Sequence, residues 1–299
     1  MQPILSFDDL TLHLQRLHRT FRLAVVCGSD PSTAEAVMRA VSNGFADATF
    51  VGACHQVRQQ ACVKNYEGER VHFIEADTDV EAAQLAVSMV KRGEADVLMK
   101  GLIHTDTLLH AVLNKEWGIL PRGQVLTHIA MAQMPSYHKL LFFTDAAVIP
   151  YPTHEQRAQQ VAYLARMLHA FGIDEPRISL IHCAETANPK FPHTMGYGEI
   201  CQRAAQGEWG RLLVDGPLDL RTSCDAEALR VKAYSQSSEA KPMPSCCPTS
   251  KPPTCFTKVF PSSPKPKWLA HSKAPWHLLC SPHAATMPMP NTTVWHLPQ

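Results

Sequence analysis

The sequence lacks most of the features by which several large classes of protein are recognised. Its 299 residues carry 28 Lys and Arg against 27 Asp and Glu, so the formal net charge is only +1. That balance gives no electrostatic reason to expect nucleic acid or an anionic membrane as a partner. No run of about 18 apolar residues is present, which argues against a membrane-spanning helix. The amphipathic, acid-containing amino terminus resembles neither a secretory signal nor a transit peptide, so we predict a cytoplasmic protein.

Short catalytic motifs and metal-ligand spacings are also missing. There is no GxGxxG for a dinucleotide, no GxxxxGK[ST] phosphate loop, no GxSxG nucleophile elbow and no HExxH. The first 224 residues contain six single cysteines without CxxC spacing: Cys27, Cys54, Cys62, Cys183, Cys201 and Cys224. This scatter is typical of reduced, buried thiols and not of a disulfide framework or a zinc site. We therefore predict no metal.

What the sequence does contain, up to about residue 232, is an alternation of short apolar runs and amphipathic segments. Strand signatures are FRLAVV, ATFVGA, VHFIEA, DVLMKG, VLTHIAMAQM, KLLFFTDAAV, RISLIHCA and RLLVDGPL. Helical segments such as PSTAEAVMRAVSNG, DVEAAQLAVSMVKRGEA and EQRAQQVAYLARMLHAFG lie between most of them. Repeated strand–helix units predict an α/β protein, a mainly parallel sheet covered by helices on both faces.

One join breaks this rhythm. Only PSYH separates the strand candidates VLTHIAMAQM and KLLFFTDAAV, which is the length of a hairpin. We expect the sheet to change character here, or the chain to enter a second lobe near residues 135–150.

Polar residues at strand ends are the first candidates for a site, because ligands of parallel α/β sheets bind beyond the carboxyl ends of the strands. Lys100 and Gly101 end one strand, and His104 and Thr105 begin the next helix. A glycine turn followed by helix amides, with a lysine nearby, predicts an anion site. The alternative is an ordinary strand-to-helix turn with a solvated lysine.

Two further candidates flank the hairpin-like join. Arg122, Thr127 and His128 precede one apolar strand, and Thr144 and Asp145 end the next. A histidine in such a position is more often a satisfied core residue than a ligand. The carboxylate needs hydrogen-bond donors, which a helix cap would supply equally well.

The last candidate is the segment LLVDGPLDL, which contains Asp215, Gly216, Pro217 and Asp219. The alternative here is a simple turn built from Gly and Pro.

Taken together, three segments resemble the phosphate acetyltransferase/phosphate butyryltransferase family. They are ADVLMKGLIHTDTLLHAVLN, LTHIAMAQMPSYHKLLFFTDAAVIPYPTHEQRAQ and LLVDGPLDL with AEALRVK after it, in family order and spacing. The resemblance runs from about residue 20 to residue 232, and it identifies residues 1–232 as a family domain that is incomplete at its carboxyl end. It implies a two-lobed, three-layer αβα fold similar to that of isocitrate and isopropylmalate dehydrogenases, usually in a homodimer.

The resemblance also implies the reaction, acyl-CoA plus orthophosphate giving CoA plus acyl phosphate, with no cofactor beyond CoA as a substrate. Lys100 and Arg122 would then be the phosphate-side cations, with Gly101, His104, Thr105 and Thr144 binding substrate around them. Thr127, His128 and Asp145 would be catalytic, the first two donating to the carbonyl oxygen or phosphate. Asp215, Gly216 and Pro217 would shape the wall of the cleft.

The carboxyl-terminal 67 residues, 233–299, do not fit the family. They contain no Gly, Asp, Arg or Ile and hold thirteen of the 23 prolines, so we predict an irregular, disordered tail. Read one base out of frame, however, Thr249–Lys258 permits Ile-Glu-Ala-Ala-Asn-Val-Phe-Tyr-Lys, and Ser281–Pro288 permits Pro-Ser-Arg-Gly-Asp-Asp-Ala. Both resemble motifs that the family carries after its AEALRVK-like segment. We therefore interpret the tail as the product of a frameshift near Lys232, and we expect the loss of the family segment to impair activity.

Two other functions compete with this one. An NAD(P)- and metal-dependent dehydrogenase would share the fold but needs clustered acidic ligands, which the sequence does not offer. An acyl-CoA or phosphate-binding protein without turnover is the non-enzymatic alternative.

Overall fold

The structure, a computed structural model, describes residues 2–133, 137, 139–145, 147–225 and 255–257. The described residues form two compact units. The first unit is Ser6–Leu126, and the second comprises residues 2–5 and the described residues from Thr127 onward. The division at residues 126 and 127 lies ahead of the lobe change predicted near 135–150. Apart from residues 255–257, the predicted tail lies outside the described residues.

The first unit is built on a four-stranded parallel sheet in the order β3-β2-β1-β4. Its strands are β1 (Phe21–Val26), β2 (Ala46–Gly52), β3 (Val71–Glu75) and β4 (Val97–Lys100). Each coincides with a predicted strand, and the α/β prediction is confirmed.

Helices cover both faces of this sheet. They are α2 (Pro31–Ser42), α3 (Cys54–Gln59), α4 (Ala61–Lys64), α5 (Asp79–Lys91) and α6 (Thr105–Val112), whereas α1 (Phe7–Arg16) has no buried residue. Successive strand residues point to opposite faces, so Val25 packs in a cluster with α2 and α3, whereas Ala24 and Val26 pack with α5 and α6. Two apolar layers therefore enclose the sheet.

Local sequence signals fix the helix starts of this unit. Asp30 caps α2 by accepting the Thr33 N–H at 2.9 Å, and Pro31 occupies the first helical turn. Thr78 caps α5 in the same way through the Glu81 N–H at 3.2 Å. These caps place the amino ends of α2 and α5 directly after strands, at the carboxyl edge of the sheet.

The second unit contains a five-stranded mixed sheet in the order β5-β6-β9-β7-β8. Its strands are β5 (Ile129–Ala132), β6 (Leu141–Thr144), β7 (Arg177–Ile181), β8 (Leu213–Leu218) and β9 (Cys255–Thr257). β5 pairs antiparallel with β6, and the other pairs are parallel. The prediction that the sheet changes character at the PSYH join is confirmed.

Strand β9 lies between β6 and β7 and pairs with both. The prediction of an irregular tail is therefore wrong at Cys255–Thr257. These residues fall inside Thr249–Lys258, the segment whose shifted reading resembles a family motif. The sheet thus has a central strand position that the chain before residue 226 does not fill.

Among the described residues, four helices accompany this sheet: α7 (His154–Ala170), α8 (Pro192–Met195), α9 (Tyr197–Ala205) and α10 (Leu220–Cys224). Thr153 and Gln156 form a reciprocal capping box at the start of α7. The buried stripe of α7 includes the apolar residues Ala158, Val161, Leu164, Ala165 and Leu168. Residues 2–5 also belong here, since the Ile4 N–H donates to the Phe171 carbonyl at 2.9 Å. No helix in the described ranges has the length and apolar character needed to cross a membrane.

Candidate active-site residues

Lys100 ends β4 inside the protein, with only 5 % of its surface exposed. Its ammonium group donates to the Gly101 carbonyl at 3.3 Å. Gly101 permits the close approach of two chain segments, because a Cβ there would lie 2.7 Å from the Gly28 Cα. The interpretation of Lys100 as a solvated lysine is therefore wrong, and a buried cation lies at the carboxyl edge of the first sheet.

The predicted helix start beyond Lys100 is confirmed. His104 occupies the N-cap position of α6 without a side-chain cap hydrogen bond, and Thr105 is the first helical residue. His104 is exposed and Thr105 is half-buried. Arg122, the second predicted phosphate-side cation, lies in an exposed turn of the same unit.

A pocket that the sequence did not single out lies at the carboxyl ends of β1 and β2. Its volume is about 230 Å³, and its lining includes Cys27, Gly28, Ser29, Asp79 and Leu102. The Cys27 thiol donates to Asp79 Oδ1 at 3.4 Å. Burial, with Asp79 adding to it, raises the pKa of Cys27 to about 12. This thiol is therefore protonated at neutral pH and unsuited to act as a nucleophile.

In the second unit, Asp145 is the centre of a hydrogen-bond network. Its Oδ2 accepts the Thr127 hydroxyl at 2.6 Å and the His128 N–H at 3.0 Å. Its Oδ1 accepts the N–H groups of Ala147 and Val148, each at 2.8 Å. Two donors on each oxygen occupy the lone pairs of a carboxylate. The contacts therefore favour Asp145 as a residue that fixes the segments around β5 and β6, and not as a base.

The hydrogen-bonding capacity of the Thr127 hydroxyl is also occupied by protein groups. Its single proton is committed to Asp145, and its oxygen accepts from Gln160 Nε2 at 3.1 Å and lies 3.2 Å from the Thr144 hydroxyl. Little capacity remains for a direct bond to a substrate. Thr127, Thr144 and Asp145 are thus brought together as predicted, but the geometry favours positioning over donation to a substrate.

Of two buried polar residues in this region, His128 and Gln160, the sequence analysis selected only the first. His128 was a candidate, and its side chain is buried with 1 % exposed. Gln160 was not, although it is equally buried and holds Thr127. The only signal for Gln160 was a polar residue on the buried stripe of α7, three residues after Arg157 and four residues before Leu164.

The segment around Asp215 is not a turn. Asp215, Gly216 and Pro217 lie within β8, where the register against β7 shifts between Ser179 and Ile181. A Cβ on Gly216 would lie 2.6 Å from the Leu180 Cβ and carbonyl oxygen, so only glycine fits at this irregularity. Asp215 is exposed and accepts the Gly216 N–H at 2.8 Å. The alternative interpretation as a simple turn is wrong.

A histidine pair that the sequence analysis missed follows β7. His193 Nε2 lies 3.3 Å from His182 Nδ1, and the Phe191 ring is 4.8 Å from that of His182, centroid to centroid. The signal was present in RISLIHCA, where a strand ends in His182 and Cys183. No group of three His, Cys, Asp or Glu side chains suited to a metal occurs among the described residues.

Comparison with known proteins adds a family to this geometry. Residues 67–241 match the model of a family described as phosphate acetyl/butaryl transferase. The phosphate butyryltransferase of Clostridium acetobutylicum is 32% identical over 229 residues, which span 77% of this chain and 75% of that protein. The phosphate butyryltransferase of Clostridium beijerinckii is 31% identical over 236 residues, or 79% of this chain and 78% of that protein.

Solved structures agree on the fold. A branched-chain phosphotransacylase from Enterococcus faecalis superposes with a TM-score of 0.63 at 24% identity, covering 80% of this chain and 79% of that one.

Proposed function

The chain belongs to the phosphate acetyl/butyryl transferase family, and from this premise we propose that it transfers a short acyl group between CoA and orthophosphate. The observation that carries the proposal is the family match over residues 67–241, which runs through both units. The strand-end residues Lys100, Thr127, His128 and Asp145 fall inside that match. The dehydrogenase alternative is not favoured, since neither the family nor the curated relatives point to it.

The chemistry asks for positioning and electrostatics, with no covalent enzyme intermediate required. An oxygen of orthophosphate attacks the thioester carbonyl, a C–O bond forms, the C–S bond breaks, and the CoA thiolate takes up a proton. In the reverse direction the thiolate attacks the acyl phosphate. The protein must hold the phosphate, orient the thioester and stabilise the developing oxyanion.

Lys100 is the group best suited to the phosphate side of this reaction in the first unit. A buried ammonium at the carboxyl end of a strand is worth more electrostatically than an exposed one, because the surrounding dielectric is low. Arg122, which is exposed, would add a second cation with a bidentate geometry. His104 and Thr105 would contribute from the start of α6.

In the second unit, the Asp145 network would act by holding His128 in place. Asp145 fixes the His128 backbone, and Gln160 fixes Thr127 on the other side. We assign the His128 imidazole as the donor to the substrate, and positioning roles to Thr127 and Asp145. Asp215, Gly216 and Pro217 would act through the shape of β8.

We favour butyryl-CoA as the acyl donor over acetyl-CoA. The support is that both relatives at 31–32% identity are phosphate butyryltransferases. A homodimer and a cytoplasmic location are further proposals from the family resemblance. Analytical ultracentrifugation of the purified chain tests the dimer.

The function is tested by incubating the protein with butyryl-CoA or acetyl-CoA and phosphate while following release of the CoA thiol. Arsenate in place of phosphate should also support thiol release. The matched variants are Lys100→Met and Lys91→Met, since Lys91 also donates to a backbone carbonyl, that of Glu116 at 2.8 Å, but is exposed. We expect Lys100→Met to lower kcat/KM for phosphate about 100-fold or more and Lys91→Met to change it less than about threefold.

Thiol release that does not depend on phosphate would contradict the proposal. So would the absence of thiol release from every short acyl-CoA when the chain has its reading frame restored. Binding of acyl-CoA without turnover would instead support the non-catalytic alternative. Equal activity of the two lysine variants would remove Lys100 from the site but leave the function standing.

A further inference from the structure

Arg157 is a buried cation in the second unit for which the described residues provide no counter-ion. Only 8 % of its surface is exposed, and its Nε has no hydrogen-bond partner. No salt bridge or side-chain hydrogen bond within the described ranges reaches its guanidinium group. A buried charge without a partner is costly, so such a group in a folded protein calls for an anion.

Two acidic side chains near the start of α7 lie against other basic residues. Glu155 lies 3.8 Å from Arg203, and Glu199 lies 3.2 Å from His154. Both acids are largely exposed, with 72% and 59% of their side chains accessible. Neither is therefore placed to neutralise Arg157.

The position of Arg157 in its helix favours a negative ligand further. It is the fourth residue of α7, a helix of 17 residues, and long helical side chains point back toward the amino end. That end carries the positive pole of the helix dipole. The capping box satisfies the Gln156 N–H and the N-cap Thr153 N–H, whereas no acceptor within the described ranges takes the N–H groups of His154 and Glu155.

Neutral hydrogen-bonding groups border the same place. The Tyr197 hydroxyl donates to the carbonyl of Ile181, the last residue of β7, at 3.3 Å. Burial lowers the pKa of His193, and the charges of His182 and Arg157 lower it further, so its imidazole is neutral near pH 7. Burial raises the pKa of Tyr197, and Arg157 acts against that change. The Tyr197 hydroxyl thus contacts the carboxyl end of β7, where ligands of parallel sheets bind, and Arg157 acts electrostatically on both Tyr197 and His193.

We propose that the amino end of α7 and the Arg157 guanidinium form a binding site for a phosphate group. The planar guanidinium can bind two phosphate oxygens at once. The identity of the ligand rests on the proposed function, whose substrates offer two sources of phosphate: orthophosphate, and the phosphate groups of CoA.

The experiment titrates the full chain with inorganic phosphate and with CoA by calorimetry, and measures KM for each. Four proteins are compared: the unmodified chain, Arg157→Met, Arg157→Lys, and Arg166→Met as the control. Arg166 is on the same helix but exposed, with its guanidinium 5.1 Å from the centre of the Tyr163 ring. Thermal unfolding is recorded with and without phosphate.

We expect Arg157→Met to weaken binding of one of the two ligands by about 10- to 100-fold, the effect of losing hydrogen bonds to a charged group. Arg157→Lys should recover part of this loss, and Arg166→Met should bind normally. Without ligand, Arg157→Met should unfold at a higher temperature than the unmodified chain, because it removes an unpaired buried charge. A loss of affinity for inorganic phosphate alone assigns the site to orthophosphate, and a loss of affinity for CoA alone assigns it to a phosphate group of CoA.

Unchanged affinity and KM for both ligands in the Arg157 variants would overturn the proposal. If Arg157→Met does not fold, Arg157→Lys decides the matter in the same way, since it keeps the charge and loses the bidentate geometry. Failure of acyl transfer in the frame-restored chain would contradict the proposed function alone, because the titrations do not depend on turnover.

Discussion

Replacing Asp145 by Asn tests whether this carboxylate holds the second unit together. Within the described part of the chain, its carboxylate accepts four hydrogen bonds, two on each oxygen at 2.6–3.0 Å, and only 6 % of the residue is exposed. The amide nitrogen of Asn must face one pair of these donors, so two hydrogen bonds to a charged acceptor are lost. At about 1.5–3 kcal/mol each, and with some recovery by rotation of the Thr127 hydroxyl, the cost is about 3–5 kcal/mol. That is a large part of the stability of a typical domain.

The assay is urea unfolding followed by circular dichroism, and the control is Asp30→Asn. Asp30 accepts the Ser32 hydroxyl and the Thr33 N–H through one oxygen, Oδ1, which Asn retains. Asn is also as good an N-cap as Asp, so the control should lose less than about 0.5 kcal/mol. A loss below about 1 kcal/mol for Asp145→Asn, with an unchanged denaturant slope, would refute the four-donor arrangement.

Three further outcomes are expected. The hydrogen bond from Arg22 lowers the pKa of Asp96 below 3.8, so Arg22→Met should reduce stability at pH 7 but not at a pH below that lowered pKa. Urea unfolding at the two pH values measures this, and an equal loss of stability at both would contradict the prediction. Burial raises the pKa of Cys27 to about 12, whereas Cys183 is exposed, so Cys183 should be alkylated at pH 8 at least about tenfold faster than Cys27. Peptide mapping measures the two rates, and equal rates would refute the burial argument. Restoring the reading frame after Lys232 should increase thiol release from butyryl-CoA, and equal activity of both chains would show that the frameshift interpretation has no functional consequence.

The fold was predictable from local patterns because strand and helix periods are properties of neighbouring residues. FRLAVV reads as a buried strand on its own, and DPSTAEAV carries both the cap and the proline that begin α2. The strand–helix alternation then limits the protein to a covered, mainly parallel sheet. The place of β9 was not predictable, since a three-residue strand acquires its meaning only from β6 and β7 on either side.

The sequence predicted which residues belong to the candidate site better than it predicted what each of them does. Lys100 and Asp145 each stand at the end of a strand in their own sheet, and ligands bind beyond such strand ends, so both could be selected from the sequence. Whether Lys100 is solvated or buried, and whether Asp145 is a base or a saturated anchor, depends on partners far along the chain. Thr127 meets Asp145 only because β5 and β6 pair antiparallel.

Arg157 and Gln160 show the same division most clearly. In the sequence EQRAQQVAYLARML they look like polar residues of a solvated helix face. Apart from the spacing of Gln160 from Leu164, nothing local distinguishes them from the exposed Arg166. Packing of α7 against the second sheet buries both side chains. In that buried position Gln160 donates a hydrogen bond to Thr127, and Arg157 becomes a cation in need of an anion. The sequence by itself determined the elements and their order, because these follow from short-range periodicity. Only the tertiary structure decided which polar groups lose water and what replaces it, because desolvation is set by contacts between distant segments.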